Sequence, residues 1–326
     1  MGTIRTETVS GGARRSRIDE PSSASRTGGA SPLDLVTLGA LMARSRGRPE
    51  TVVALLDGPV ALGHPGLRGG SLRRLPGGTP VGCAEPGSEQ CRHGTFVAGL
   101  LAARRGTAAP GICPDCTLLV RPVFAEPGQP GAAAPRTDPD QLAEALAAVV
   151  DAGARVVNIS ADLSWSAVRD GRALTGALDH AARRGVIVVA AAGNQGVVGS
   201  SVLTRHPAVI PVAACDRHGR PAPYSNLGAT IGRSGLSAPG EGLLGLATGE
   251  RQPPIRGTSV AAPLVTGAVA LLWSEFPRAG AADVRRALCD AARSRRTLWP
   301  ALLDASRALD RLAARTGVTT TARRPS

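Results

Sequence analysis

Short apolar runs alternate along this chain with helical patterns, and no other feature constrains its fold as strongly. The runs consist mostly of Val, Ile, Leu and Ala, the composition of strands that are buried on both faces of a sheet. Segments with the 3.6-residue apolar period of helices lie between them. The predicted strands cover residues 118–123, 156–160, 186–192 and 209–213, and the predicted helices cover residues 141–152 and 168–184. Because crossover helices join parallel strands, we expect an α/β sandwich with a mainly parallel central sheet between helices.

Polar stretches at both ends limit the folded domain. Residues 1–30 are rich in Ser, Gly and Arg, and we expect this extension to be disordered. The sequence Ser31-Pro32-Leu33-Asp34 resembles a capping box with Pro at the first helical position, which predicts a helix from there to about Arg44. We expect one folded domain over residues 31–312 and a flexible tail over residues 313–326.

A hydroxyl lies where a loop becomes a helix, in Arg256-Gly257-Thr258-Ser259-Val260. Apolar residues recur at helical spacing after it, and Gly257 permits a sharp turn before it. Ser259 would therefore lie at the positive end of a buried helix, where backbone N–H groups and the helix dipole favour negative charge. For a lone serine the simpler interpretation is an N-cap, with the Thr258 or Ser259 hydroxyl only accepting a hydrogen bond from the helix backbone.

Three more polar residues supply the other groups that a serine nucleophile needs, namely a base, an orienting carboxylate and an oxyanion donor. His93 is expected in the first turn of a packed helix. Asp57 follows the apolar run 52–56, and Asn194 follows the run 186–192, so both lie at the carboxyl ends of predicted strands. Each residue alone has an ordinary explanation: Asp57 as a turn former, His93 as a satisfied helix histidine, Asn194 as an Asx turn.

Together, in the order Asp, His, Asn, Ser, these segments resemble the subtilisin-like serine proteases. The matching motifs are Asp57-Gly58, His93-Gly94-Thr95, Gly193-Asn194 and Gly257-Thr258-Ser259, and the resemblance spans residues 32–312. Within that family the segments 55–60, 206–216 and 224–228 are similar to the cyanobactin maturation proteases. Those enzymes cut leader or tail sequences from ribosomally made precursor peptides.

The resemblance implies a subtilisin-like three-layer sandwich and a serine endopeptidase. Ser259 would attack the scissile carbonyl, with His93 as base and then acid and Asp57 orienting the imidazole. Asn194 and the Ser259 backbone N–H would hold the oxyanion. The alternatives are a general degradative protease and a catalytically idle peptide-binding protein with the same fold.

The predicted strand over residues 155–160 resembles the family's substrate-binding strand. This implies that Ser160, Ala161, Asp162 and Gly193 contact the substrate. We expect the Asp162 carboxylate to favour a basic or hydrogen-bond-donating residue of the peptide, unless it caps a helix that begins near Ser164 or points to solvent.

Two departures from the family pattern bear on function. Gly58 replaces the Ser or Thr that commonly follows the triad aspartate, which removes one possible hydrogen bond near the carboxylate. The interval between Asp57 and His93 has no helical periodicity, so it has no room for the helical cap of family members that also macrocyclise. The sequence therefore favours a plain protease.

The net charge of the chain is +13, and all 38 Lys or Arg positions are arginine. Because an arginine-rich surface can bind phosphates, nucleic-acid binding is a competing interpretation. Aromatic residues make up only 2% of the chain, too few for base-stacking platforms, and the arginines are scattered. We therefore expect no nucleic-acid partner. A basic surface could instead attract acidic precursor peptides.

The N-terminal residues lack the apolar core of a signal peptide, and no run of about 18 apolar residues suggests a membrane span. We therefore expect no membrane partner, a cytoplasmic location and six reduced cysteines. The two close pairs, Cys83 with Cys91 and Cys113 with Cys116, are interpreted as ordinary loop cysteines rather than a metal or disulfide cluster. No cofactor is predicted, no calcium ligands can be assigned, and the oligomeric state is not predicted.

Overall fold

An eight-stranded parallel sheet forms the centre of the chain in the computed structural model, which describes residues 31–77, 79–128, 138–160, 171–249, 253–290 and 297–317. The strand order is β2-β3-β1-β4-β5-β6-β7-β8. In chain order the strands are β1 Val52–Leu56, β2 Leu72–Arg74, β3 Thr117–Val120, β4 Val156–Ile159, β5 Ile187–Ala191, β6 Val209–Cys215, β7 Leu236–Pro239 and β8 Ala301–Leu302. All the pairings between them are parallel, which confirms the predicted fold class.

Helices cover both faces of the sheet. They are α1 Pro32–Leu35, α2 Leu38–Arg44, α3 Glu89–Ala102, α4 Pro139–Asp151, α5 Arg172–Arg183, α6 Val202–Arg205, α7 Ala229–Ser234, α8 Thr258–Glu275, α9 Ala281–Cys289 and α10 Ala305–Thr316. Helices α2, α3, α8, α9 and α10 contribute to one hydrophobic core, and α4 and α5 contribute to a second. The strands lie between these two cores.

The period-2 alternation of strand side chains divides each central strand between the two cores. In β1, Val53 and Leu55 belong to the core on the α8 side, whereas Ala54 and Leu56 belong to the core on the α4 side. Both faces of the strand are thus apolar, which explains why the sequence has continuous apolar runs in place of alternation.

Helix α8 runs through the interior of the α8-side core. All of its residues except Glu275 are buried, and its apolar residues surround the helix axis. By length and composition alone α8 could cross a membrane, but 94% of that stretch is buried inside the fold. This is the pattern of the central helix of a folded domain.

The prediction of one helix from Ser31 to Arg44 is wrong, because this segment forms two helices, α1 and α2. The capping box at Ser31 is present, but Thr37 adopts a left-handed backbone with φ 51° and separates the helices. Its hydroxyl donates to Asp304 Oδ1 over 2.9 Å and accepts from the Ser306 N–H over 2.9 Å. The backbone conformation of Thr37 is therefore determined by a tertiary contact with the start of α10 rather than by local helix propensity.

The last described residues form the strand β8 and the helix α10. Helix α10 continues to Thr316, past the expected domain boundary at residue 312. The predicted strand 118–123 ends at Val120, and the other predicted strands and helices differ at their ends by a few residues. The segments expected to be disordered, residues 1–30 and the end of the 313–326 tail from 318 onward, lie outside the described residues.

Candidate active site

Three predicted residues from distant parts of the chain form one hydrogen-bonded row. The His93 Nδ1 atom lies 2.7 Å from Asp57 Oδ1, and its Nε2 atom lies 2.8 Å from Ser259 Oγ. Because the ionised carboxylate can only accept, Nδ1 carries the proton and Nε2 is free to accept from the serine hydroxyl. The imidazole is therefore in the tautomer that a base for Ser259 requires.

Asp57 follows β1 directly and is buried, with 1% of its surface exposed. Its Oδ1 accepts from the Gly58 N–H over 2.6 Å as well as from His93. Its Oδ2 atom has no hydrogen-bond partner among the described residues. The absence of a hydroxyl at position 58 is thus partly offset, since a backbone donor holds one carboxylate oxygen.

Helix α3 holds His93 against Asp57 by lying directly on the chain after β1. A Cβ atom on Gly58 would come within 2.2 Å of the Gln90 carbonyl oxygen, and a Cβ on Gly94 within 2.4 Å of the Pro59 carbonyl oxygen. Only glycine permits this backbone contact, which explains Gly58 where Ser or Thr is common. The prediction that His93 lies in the first turn is wrong: α3 begins at Glu89, capped by Ser88, and His93 is in the second turn.

Opposing effects set the pKa of His93. Burial lowers it, whereas the negative charge of Asp57, the hydrogen bond to that carboxylate and the charge of Glu89 raise it. The raising effects win, so the pKa of His93 lies above the ordinary histidine value. Since 24% of the side chain is exposed, the imidazole can still exchange protons with solvent.

Ser259 is the second residue of α8 and is buried, with 7% of its surface exposed. The N-cap of α8 is Gly257, which has no side chain, and neither the Thr258 nor the Ser259 hydroxyl is a cap, so the capping interpretation of these two residues is wrong. Gly257 has φ 147°, a region that favours glycine, and a Cβ there would lie 3.1 Å from Asn194 Nδ2 and 3.2 Å from Ser259 Oγ. Gly257 thus keeps open the space between the hydroxyl and the amide.

The Asn194 side chain, in the loop after β5, is fixed by Thr258. Its Oδ1 accepts from the Thr258 N–H over 2.8 Å and from the Thr258 hydroxyl over 3.0 Å. This leaves Nδ2, the donor end of the amide, on the side of the space beside Ser259. Thr258 Oγ1 also accepts from the Gly193 N–H over 3.1 Å, so Thr258 ties the loop to the start of α8 at two points.

Asn226 organises the same loop, a role that the sequence alone did not indicate. Its Oδ1 accepts from the Gln195 and Val197 N–H groups over 3.1 and 3.2 Å. Its Nδ2 donates to the Ala192 carbonyl over 3.2 Å and to Gln195 Oε1 over 2.6 Å. A buried side chain with this many loop contacts fixes the backbone that carries Asn194. The sequence signal that could have identified Asn226 is its position in Tyr224-Ser225-Asn226, within a segment similar to the cyanobactin maturation proteases.

Of the four predicted substrate-binding residues, the structure describes Ser160 and Gly193. Gly193 has φ 104°, and a Cβ there would lie 2.3 Å from Asn226 Nδ2, so glycine is required. Ser160 follows β4, and its Oγ accepts from Asn158 Nδ2 over 3.0 Å. Its backbone N–H donates to the carbonyl oxygen of Leu56, the last residue of β1. Ser160 therefore lies at the same sheet edge as Asp57. Ala161 and Asp162 lie outside the described residues.

The expectation that all six cysteines are reduced is wrong for Cys83 and Cys91, which form a disulfide with Cα atoms 5.5 Å apart. The bond joins the loop before α3 to the third residue of that helix. Between these two cysteines in the chain, the Ser88 hydroxyl caps α3 by accepting from the Cys91 N–H over 3.1 Å. The other four cysteines are buried and form no disulfide among the described residues.

Comparison with known proteins agrees with this geometry. The chain is 35% identical to a mutant of the protease domain of PatA, with a TM-score of 0.74, over 82% of this chain and 97% of that one. It is 30% identical to the prenylagaramide maturation protease PagA, with a TM-score of 0.73, over 85% of this chain and 98% of that one.

A thermostable alkaline protease from Halalkalibacterium halodurans is 31% identical over 227 residues, which cover 69% of this chain and 57% of that protein. The chain thus spans little more than half the length of that relative. The sequence model of the subtilase family (Peptidase_S8) matches residues 48–318. Since that match covers most of the chain, and the fold and the order of the site residues agree with it, this protein belongs to the subtilase family.

Proposed function

We propose that this protein is a serine endopeptidase in which Asp57, His93 and Ser259 act as a catalytic triad. The single observation that carries this proposal is the continuous row of hydrogen bonds from Asp57 through His93 to Ser259. A buried hydroxyl that lies 2.8 Å from an oriented imidazole is an activated nucleophile.

In the first step Ser259 Oγ attacks the scissile carbonyl carbon while its proton passes to His93 Nε2. The Asp57 carboxylate stabilises the imidazolium through the hydrogen bond at Nδ1. His93 then gives the proton to the leaving amine, and an acyl-enzyme remains on Ser259. Water attacks this ester with His93 again as base, which restores the free enzyme.

The oxyanion of the tetrahedral intermediate would be held by Asn194 Nδ2 and the Ser259 backbone N–H. The contacts of Thr258 with Asn194 Oδ1 support this role, because they fix which end of the amide faces the nucleophile. A donor that is held in place before the reaction begins stabilises developing charge without reorganisation.

We propose that the substrate is a ribosomally made precursor peptide from which the enzyme removes a leader or recognition sequence. Similarity to the maturation protease PagA and to the PatA protease domain supports this substrate class over general degradation. The arginine-rich surface suits an acidic peptide. A cytoplasmic location stays a prediction.

We further propose that Ser160, Ala161, Asp162 and Gly193 line the substrate cleft, with the Asp162 carboxylate favouring a basic residue. Cleavage of a peptide library by the parent and by Asp162→Asn tests this. Identical preferences at every subsite would leave Asp162 as a helix cap or a solvent-exposed residue.

Replacement of the nucleophile tests the activity itself. Ser259→Ala should abolish peptide turnover and retain peptide binding, because only the attacking oxygen is lost. A fluorophosphonate should label the parent at Ser259 and should still label Ser234→Ala, a control that removes a hydroxyl donating to the Thr230 carbonyl within α7. A parent that binds peptide and resists the reagent would instead be an idle binding protein.

Substrate class is tested separately. The parent should cut a precursor peptide at one bond and leave an unfolded carrier protein largely intact. Digestion of both to small fragments would indicate a general degradative protease.

A further inference from the structure

Three potential metal ligands meet at the start of α3, outside the triad. The Sγ atoms of Cys83 and Cys91 and a carboxylate oxygen of Glu126 all lie within 4.8 Å of one another. In the structure the two sulfur atoms are joined as a disulfide. Two thiolates and a carboxylate are a ligand set that suits zinc, because thiolate selects soft cations over calcium and magnesium.

Glu126 keeps these groups together independently of the disulfide. Its Oε2 accepts from the Ala84 N–H over 2.6 Å, and its Oε1 accepts from the Glu85 N–H over 3.1 Å and from the Ser88 hydroxyl over 2.7 Å. These bonds hold the loop that begins at Cys83 against α3. Reduction of the disulfide would therefore leave Cys83 beside Cys91 and Glu126.

The charge at this site is also unbalanced. Glu126 is 2% exposed, and among the described residues no basic side chain lies within ion-pair distance of it. The three hydrogen bonds to its oxygens stabilise a negative carboxylate, but they supply no full positive charge. A divalent cation between the carboxylate and two thiolates would supply the missing positive charge.

A path from solvent leads to the site. Cys83 is only half-buried, and the residues that follow it, 84–87, are exposed. The other close cysteine pair differs, since Cys113 and Cys116 are each 2% exposed. A reductant or a metal ion can thus reach Cys83 without opening the core.

We propose that the reduced protein binds one zinc ion through Cys83, Cys91 and Glu126, so that the loop before α3 has two alternative closures, a disulfide and a metal ion. A dithiol reductant supplies two electrons and two protons to the disulfide and becomes a disulfide itself. Each cysteine thiol then releases its proton when its sulfur binds Zn²⁺. Solvent completes the tetrahedron that zinc prefers.

Zinc binding to the oxidised and reduced full-length protein tests the site. A chromophoric zinc chelator measures competition, and Co²⁺ in place of zinc reports thiolate ligation by its sulfur-to-metal absorption. We expect one tightly bound ion in the reduced protein and none in the oxidised protein. Equal binding by the two forms, or a cobalt spectrum without the sulfur band, would refute the proposal.

Variants identify the ligands. Cys83→Ser and Cys91→Ser should lose the bound ion, and Glu126→Gln should weaken binding at least about tenfold. The matched control is Cys113→Ala, which removes a cysteine outside the cluster and should retain the ion. Loss of binding in the control, or its full retention in Cys83→Ser, would assign the ion elsewhere.

A second measurement needs no variant. In the reduced parent, zinc should protect Cys83, the more exposed of the two thiols, from alkylation, as read by mass spectrometry of the peptides. Alkylation of Cys83 at an unchanged rate would overturn the assignment.

Discussion

The contact between α3 and the segment after β1 predicts that a single methyl group at Gly94 will damage the site. A Cβ at this position would lie 2.4 Å from the Pro59 carbonyl oxygen and 2.5 Å from that of Gly58. Ordinary contact begins near 3.4 Å, and both neighbours are backbone atoms that cannot rotate away. In Gly94→Ala the helix must therefore withdraw by about 1 Å, a displacement comparable to those that lower turnover about 100-fold in other enzymes.

The same substitution should cost stability, because an overpacked contact typically destabilises a protein by about 1 to 3 kcal/mol. The control is Gly176→Ala in α5, where a Cβ meets nothing within 4 Å. That substitution should leave turnover unchanged and raise stability by about 0.5 to 1 kcal/mol, since alanine is the better helix former.

Three measurements on purified protein decide the outcome: thermal unfolding, kcat and KM on a peptide substrate, and the rate of fluorophosphonate labelling. We expect Gly94→Ala to lose kcat and labelling rate together, at temperatures where it remains folded. Full kcat in a folded Gly94→Ala would refute the claim that this contact positions His93.

Further predictions concern the pH profile and the oxyanion loop. The acid limb of kcat/KM should lie above the ordinary histidine pKa, because Asp57 and Glu89 raise the pKa of His93, and Glu89→Gln should move that limb to lower pH in a pH–rate series. The protonated form of His93 also stabilises the fold below the pKa of the unfolded state, and this contribution should disappear as the pH rises through the folded pKa in denaturation series. Asn194→Ala should lower kcat by about 10² to 10³ with little change in KM, the loss known for an oxyanion-hole donor of subtilisin. Asn226→Ala should also lower kcat more than KM and should destabilise the fold by about 1 to 3 kcal/mol, because it leaves buried loop groups unpaired; an unchanged kcat would remove this residue from the support of the loop.

The sequence predicts those site residues that lie at the end of a strand or the start of a helix. Asp57 follows a buried strand and Ser259 opens a helix, so a strand pattern and a glycine turn were sufficient to locate them. The site as a whole followed from the order of these residues and from motifs shared with a known family.

The missed features depend on contacts between distant residues. Thr258 fixes Asn194 across 64 positions of the chain, and Asn226 fixes the loop at Gln195 across 31 positions. The break at Thr37 requires Asp304, 267 positions away. The pairing of Cys83 with Cys91 depends on how the intervening loop folds against Glu126. None of these partners can be identified from local pattern or propensity.

The burial of α8 links catalysis to the global stability of the molecule. Amide protons of α8 beyond its first turn can exchange with solvent only when the core opens, so their protection should report the free energy of complete unfolding. Ser259 therefore does not lie in a segment that unfolds locally before the rest of the domain. Activity and tertiary structure should be lost in one unfolding transition. For the proposed endopeptidase this burial also limits self-digestion, because α8 becomes a substrate only in the small fraction of molecules that are unfolded at any moment.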